Sequence, residues 1–430
     1  MKRKGQVFVL CFLVLAILAG GGFAQQKTLR VLLANHPYME VLRPLIAEYE
    51  KQTGTKVNVE SYDENQLTQK LTTEFATRSS TMDVFMTRPL QEGKLFFKNG
   101  WYENLSPYLK DSKKTPASYN FADYAASAVS AVTHKNDVYT IPLVTEWEVL
   151  YYRTDLFKKA NLAPPKNFDE LIAAAKKLHD PKNGVYGIVS RGQRGAAVTQ
   201  FSSYLYNYGG DFIQEGKGAV VDTPQAIEAF KFYGRMLAEY GPPGVTNMSW
   251  AQCMAVFQAG NVAMWTDASV FLGNLKDPSK SKVADNVGVA MFPAGPKGNS
   301  PYSVVSWGMA VSRQSKNKDE AYKFLLWATS REIAVKAMVD KGITMARTSV
   351  WKDPGVQKKF DPQLADTAIK VGPIGKPYDR PLMTAVGEAR DAIGEVIVLS
   401  IETKGTGDIA GAAKKAVQKV NELLKNAGEL

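Results

Sequence analysis

Short apolar runs alternating with stretches of helical periodicity constrain this chain more than any other feature, because that alternation is the pattern of an α/β fold built on parallel strands. LRVLLA, residues 29–34, suits a buried parallel strand, and Val41, Leu42, Leu45, Ile46 and Tyr49 then recur at helical spacing up to a stop near Gly54. KVNVESY alternates as a second strand, Leu67, Leu71 and Phe75 mark a second helix, and MDVFMT, residues 82–87, supplies a third strand. VYTIPL at 138–143 and VLYYR at 149–153 follow, separated by the polar and aromatic insertion Thr145, Glu146, Trp147 and Glu148, which reads as a crossing between two lobes. Asn167 is placed to cap a helix whose first turn holds Asp169 and Glu170 and whose last holds Lys176 and Lys177, matching the helix dipole at both ends. Pro224 opens another helix that EYGPPG ends, and from Ala385 to Leu430 the periodicity is helical with one break at KGTG. With 430 residues, 45% of them hydrophobic, the chain can bury two cores, and two domains are expected.

The first residues bear on compartment. Lys2, Arg3 and Lys4 precede an apolar run from Val7 to Ala19 that is shorter than the about 20 residues of a membrane span, and small residues lead to Ala24. That is the pattern of a signal peptide occupying residues 1–24, cleaved after Ala24, and it implies a periplasmic protein. Gln25 and Gln26 stand where a lipid anchor would need a cysteine, so no anchor is expected. Cys11 leaves with the leader, and Cys253 alone cannot form an intramolecular disulfide. Three of the +11 formal charges belong to the leader, and the remaining basic residues scatter through helical patterns instead of clustering with aromatics, which argues against nucleic-acid binding.

A search for catalytic chemistry finds little. His36, His134 and His179 lie far apart with no metal-ligand spacing, no serine sits in a GxSxG elbow, and nothing calls for a cofactor. Glu146 and Glu148 are the most enzyme-like feature, since residues i and i+2 of a strand share a face and two carboxylates serve glycosidases, which keeps a secreted glycosidase or lyase as the alternative. Adjacent Tyr151 and Tyr152 prompt a ferric-iron reading, but neighbours on a strand point to opposite faces, so one of them belongs to a core. What the chain offers instead is the equipment of carbohydrate binding: indole faces for C–H surfaces and fork-shaped polar groups for hydroxyls. Trp147, Trp250, Trp265 and Trp307 all fall at strand ends or helix starts, beside Glu146, Asp267 and Ser306.

The order of motifs resembles extracellular solute-binding protein family 1, the maltose-binding-protein-like receptors of ABC importers. The resemblance runs from MDVFMTRPLQEGKLFFKNGWYENLSPYL through VYTIPLVTEWEVLYYRTDLFKKANLAPPKNFDELIAAAKKL and YNYGGDFIQEGKGAVVDTPQAIEAFKFY to FQAGNVAMWTD and VGVAMFPAGPKGNSPYSVVSWGMAVSRQSKNKDEAYKFLLWATS. EYGPPG, MWTDAS, ARTSVW and SRGQRG are similar to the branch that binds sugar alcohols, whereas AAVTQ and Trp147 depart from it, and monosaccharides and disaccharides stay open as ligands. The resemblance implies a two-lobed periplasmic binding protein fold of type II, monomeric, closing on a sugar or polyol and delivering it to a permease at the inner membrane. It implies crossings near 139–146, near 291–298 and after Ala346, with residues 25–140 plus 295–345 in the N-terminal lobe and 141–294 plus 346–430 in the other. Carried over by position, the ligand-binding candidates are Asn35, His36, Arg88, Glu146, Trp147, Arg191, Trp250, Trp265, Asp267, Trp307, Arg347 and Tyr378. Glu146, Asp267 and Arg347 lead them, the competing roles being an interlobe ion pair, a helix cap and a surface charge.

Overall fold

Residues 26–430 are described by a computed structural model, so the leader read at residues 1–24 lies outside the described residues. Seven strands form one hydrogen-bonded system: β1 Thr28–Ala34, β2 Lys56–Tyr62, β3 Val84–Thr87, β4 Ile141–Arg153, β5 Met264–Ala268, β6 Val287–Met291 and β7 Ser303–Val311. β1 pairs in parallel with β2 and β3, and β7 runs antiparallel between β3 and the first half of β4. The second half of β4 pairs antiparallel with β6 on one side and β5 on the other. One long strand is therefore shared, with residues up to Trp147 in the first sheet and residues from Glu148 in the second.

Burial follows the sequence pattern. Leu29 and Val31–Leu33 are fully buried in β1, as are Val84–Met86 in β3, because helices cover both faces of this parallel core. Asp63 accepts from the backbone N–H groups of Asn65 and Gln66 to start helix Glu64–Ala76, and Asn167 accepts from Glu170 N to start Phe168–Leu178. The break at KGTG separates helices Val386–Glu402 and Ile409–Ala427, with Lys404 and Gly405 both at positive φ.

Around the second sheet, helix Val386–Glu402 lies against Arg194–Asn207 and Pro224–Tyr240. A β-carbon on Gly394 would approach the Arg194 carbonyl oxygen to 2.3 Å, so glycine is what lets these two backbones touch. Residues 349–359 pack on helix Arg331–Lys341, beside the first sheet, whereas helix Pro362–Val371 packs on β6 in the second.

Candidate functional site

The parallel strands end at the boundary between the two halves, where open α/β sheets present ligand sites. Ala34, Asn35, His36 and Pro37 follow β1, Glu64 opens the helix after β2, and Arg88 follows β3. Glu146 in β4 and Ser306 and Trp307 in β7 stand where the shared strand leaves the first sheet, at a register irregularity between Val305 and Gly308. Arg191, Thr199, Trp250, Val270, Phe271, Asp379 and Arg380 face them from the second half. Together these residues line one cavity. It holds about 40 Å³, room for roughly one or two waters.

Each guanidinium in the wall is held by a carboxylate. Arg88 donates to Glu92 through Nε and Nη2 at 3.1 and 2.9 Å, and to Glu64 through Nη1 at 2.8 Å. Arg191 forks onto Asp267 at 3.0 and 2.6 Å, and Arg380 forks onto Asp379. Burial at the cavity wall pushes the Glu64 carboxyl up, but the fields of Arg88, Arg191, Arg380 and Arg390 outweigh it and leave it below the ordinary value. The His36 ring accepts from Tyr38 N at Nδ1, 3.1 Å, which leaves Nε2 to donate to Glu146 at 3.4 Å. Three carboxylates and three guanidiniums line the cavity, so its wall is close to charge-neutral.

Two indoles flank these groups. Trp307 packs against His36 with ring centres 5.7 Å apart and lies under the Arg88 guanidinium. Trp250, the first residue of helix Trp250–Gln258, stacks on Phe271, which in turn stacks on Trp265.

Asn35, His36, Arg88, Glu146, Arg191, Trp250 and Trp307 thus reach the cavity, and five other candidates do not. Trp147 is the strand neighbour of Glu146, points to the opposite face and donates its indole N–H to Thr367 at 2.9 Å. Trp265 is fully buried behind Phe271. Asp267 is fully buried behind Arg191 and accepts from Arg191, Gln200, Trp265 and Ala268 N, so it orients the wall and caps no helix. Every one of those neighbours is a donor, which only the ionised carboxylate can satisfy, and Asp267 holds Arg191 more firmly protonated than a free arginine despite its burial. Arg347 is buried in the first half between Tyr119 and Tyr124, 4.6 Å from each ring centre, and pairs with Asp123. Tyr378 donates to Asp211 at 2.7 Å. The adjacent tyrosines are structural: Tyr151 donates to the Ala268 carbonyl and Tyr152 packs edge-on against Phe157.

Glu64, Thr199, Asp379 and Arg380 in the wall were not read from the sequence. Glu64 carries a usable signal, since it directly follows the cap after β2. Asp379 and Arg380 sit in an irregular segment that shows no motif.

Residues 34–335 match the family model for bacterial extracellular solute-binding proteins. The chain belongs to that family. Relatives include a mannitol-binding protein of Pseudomonas aeruginosa, 32% identical over 63% of this chain and 61% of that protein. An erythritol/L-threitol-binding protein of Mycolicibacterium smegmatis is 29% identical over 79% of this chain and 74% of its own length. The crystal structure of an ABC transporter solute-binding protein from Agrobacterium radiobacter in complex with ribitol superposes with a TM-score of 0.83 at 28% identity, covering 92% of this chain and 98% of that one. The solute-binding proteins are binding components of ABC importers, not enzymes, which removes the glycosidase or lyase alternative. The two-lobed α/β architecture follows as well.

In this solute-binding protein Glu146 and Glu148 do not form a carboxylate pair. Glu146 pairs with β7 in the first sheet, whereas Glu148 pairs with β5 in the second and is fully buried. Burial, with Asp267 and Asp379 nearby, pushes the Glu148 carboxyl well above its ordinary value, so the folded protein keeps it protonated. The unfolded chain ionises it near the ordinary value of 4.5. Between these values the folded state binds the extra proton, so Glu148 removes stability as pH rises, by about 1.4 kcal/mol per unit. Urea unfolding from pH 5 to 8 is expected to show a less negative slope of stability against pH for Glu148→Gln than for the wild type. Parallel slopes would show that Glu148 is ionised in the fold.

Proposed function

We propose that this protein captures an acyclic sugar alcohol of about four to six carbons in the cleft and delivers it to an ABC permease at the inner membrane. The observation that carries the ligand class is the near-neutral wall: paired carboxylates and guanidiniums offer many oriented donors and acceptors with no net charge to neutralise. A neutral polyhydroxy chain meets that demand, with its C–H surfaces on Trp250 and Trp307. The ligands named for the similar proteins, mannitol, erythritol or L-threitol, and ribitol, span the same size range and support the reading. The leader pattern at residues 1–24 supports capture in the periplasm, and we infer that the protein works there as a monomer.

The mechanism we infer is hinge closure. The lobes pass into one another within β4, again in the loop between β6 and β7, and a third time at the turn near Phe360, so a small rotation about these three crossings opens the cleft. Ligand bound to one lobe favours closure by the contacts it gains from the other. The test is calorimetric titration of residues 25–430 with erythritol, ribitol, mannitol, maltose and gluconate. At least one linear polyol is expected to bind near the micromolar range, about −8 kcal/mol, with gluconate at least about tenfold weaker because its carboxylate enters a wall already supplied with anions. Tighter binding of gluconate or maltose than of every polyol overturns the assignment.

A further inference from the structure

The turn after β3 carries a contact that bridges the two lobes beside the cavity. The Gln91 side-chain carbonyl oxygen accepts from Arg380 Nη1 and from Arg390 Nη1, both at 2.7 Å. Gln91 belongs to the first lobe, three residues beyond Arg88. Arg390 lies on helix Val386–Glu402, which packs in the second. The same two guanidiniums reach Thr199 in the cavity wall, at 3.2 Å from Arg390 and 3.5 Å from Arg380.

Arg390 is unusual among the buried arginines here. It is 8% exposed, and among the described residues it forms no ion pair within contact distance and its Nε has no hydrogen-bond partner. Burial holds it well below the ordinary arginine value, with Arg380 adding repulsion. When the lobes part, water reaches this face and solvates both guanidiniums. When they close, that water is lost and Gln91 is the acceptor that the opposite lobe supplies in its place. The rim contacts nearby, Lys94 to the Leu382 carbonyl at 2.8 Å and Lys98 to the Ala427 carbonyl at 3.2 Å, are exposed and weaker.

We propose that Gln91 is a positioning residue that latches the closed cleft, setting ligand affinity and release without touching the ligand. A neutral amide oxygen between two guanidiniums holds closure reversibly, whereas a carboxylate there would complete the missing ion pair and hold it longer. Because Thr199 and Arg380 belong both to the latch and to the cavity wall, a ligand that orders them also orders the donors that Gln91 accepts. The role in affinity rests on the polyol reading, but the effect on closure does not.

The experiment measures interlobe distance in the ligand-free protein by spin labels on the two lobes, together with polyol dissociation rates, for wild type, Gln91→Ala and Gln91→Glu. Gln91→Ala is expected to shift the ligand-free distances toward open and to raise the dissociation rate at least about tenfold. Gln91→Glu is expected to shift them toward closed and to slow dissociation by a similar factor. Gln91 is only partly buried, and melting temperatures verify that both variants fold. Distance distributions identical in all three folded proteins overturn the latch, as does Gln91→Glu opening the cleft like Gln91→Ala. If no polyol binds yet the distances move as expected, the ligand assignment falls and the latch stands.

Discussion

Asp267→Ala lowers polyol affinity by about 100-fold and destabilises the fold by about 3–5 kcal/mol, although Asp267 does not reach the cavity. Its two oxygens gather Arg191, Gln200, the Trp265 indole and the Ala268 amide in a site with no solvent access. Removing the carboxylate leaves the Arg191 guanidinium buried beside the ligand with no counter-charge and no fixed orientation. Asp267→Asn keeps the shape and part of the hydrogen bonding, so it falls between the alanine variant and the wild type. Calorimetry and urea unfolding on the three proteins check both numbers. An affinity unchanged in Asp267→Ala would remove Arg191 from ligand recognition.

Arg347→Met produces the opposite separation, a stability loss of about 3 kcal/mol with unchanged affinity. The guanidinium is sandwiched between Tyr119 and Tyr124, donates to the Thr329 carbonyl at 2.9 Å and pairs with Asp123 at 3.2 Å, all within the first half. Desolvated cation–π contacts of this kind contribute about 2 kcal/mol or more, and Asp123 would lose its cationic partner while keeping the Thr348 and Ser349 donors. Unfolding curves measure the first effect and titration with the best polyol the second. A loss of affinity without loss of stability would return Arg347 to the binding site.

These two residues show where sequence reading succeeds and where it stops. Strand and helix positions were legible because each carries a local signal, a run, a period or a cap, and Asn35, His36, Arg88 and Glu146, carried over by position from the family resemblance, fall where open α/β sheets present ligands. Trp147 was kept as a candidate beside Glu146, although adjacent strand residues point to opposite faces, and the structure turns it away from the cavity. Asp267 and Trp265, two apart on β5, share a face, and only the packing of Arg191 over one and Phe271 over the other decides that this face stops one layer short of the cavity. For Arg347 the deciding partners, Asp123 and the two tyrosines, lie more than 200 residues away in the chain. Asp379, Arg380 and Gln91 come from turns whose placement depends on how the lobes meet, and no periodicity in the chain encodes that.

The measurement that tests the account most directly is a crystal structure of residues 25–430 with the tightest-binding polyol. The carbon chain is expected between Trp250 and Trp307, with hydroxyls on Glu64, Glu146, Arg191 and Asp379. A polyol bound anywhere other than between these residues would contradict it.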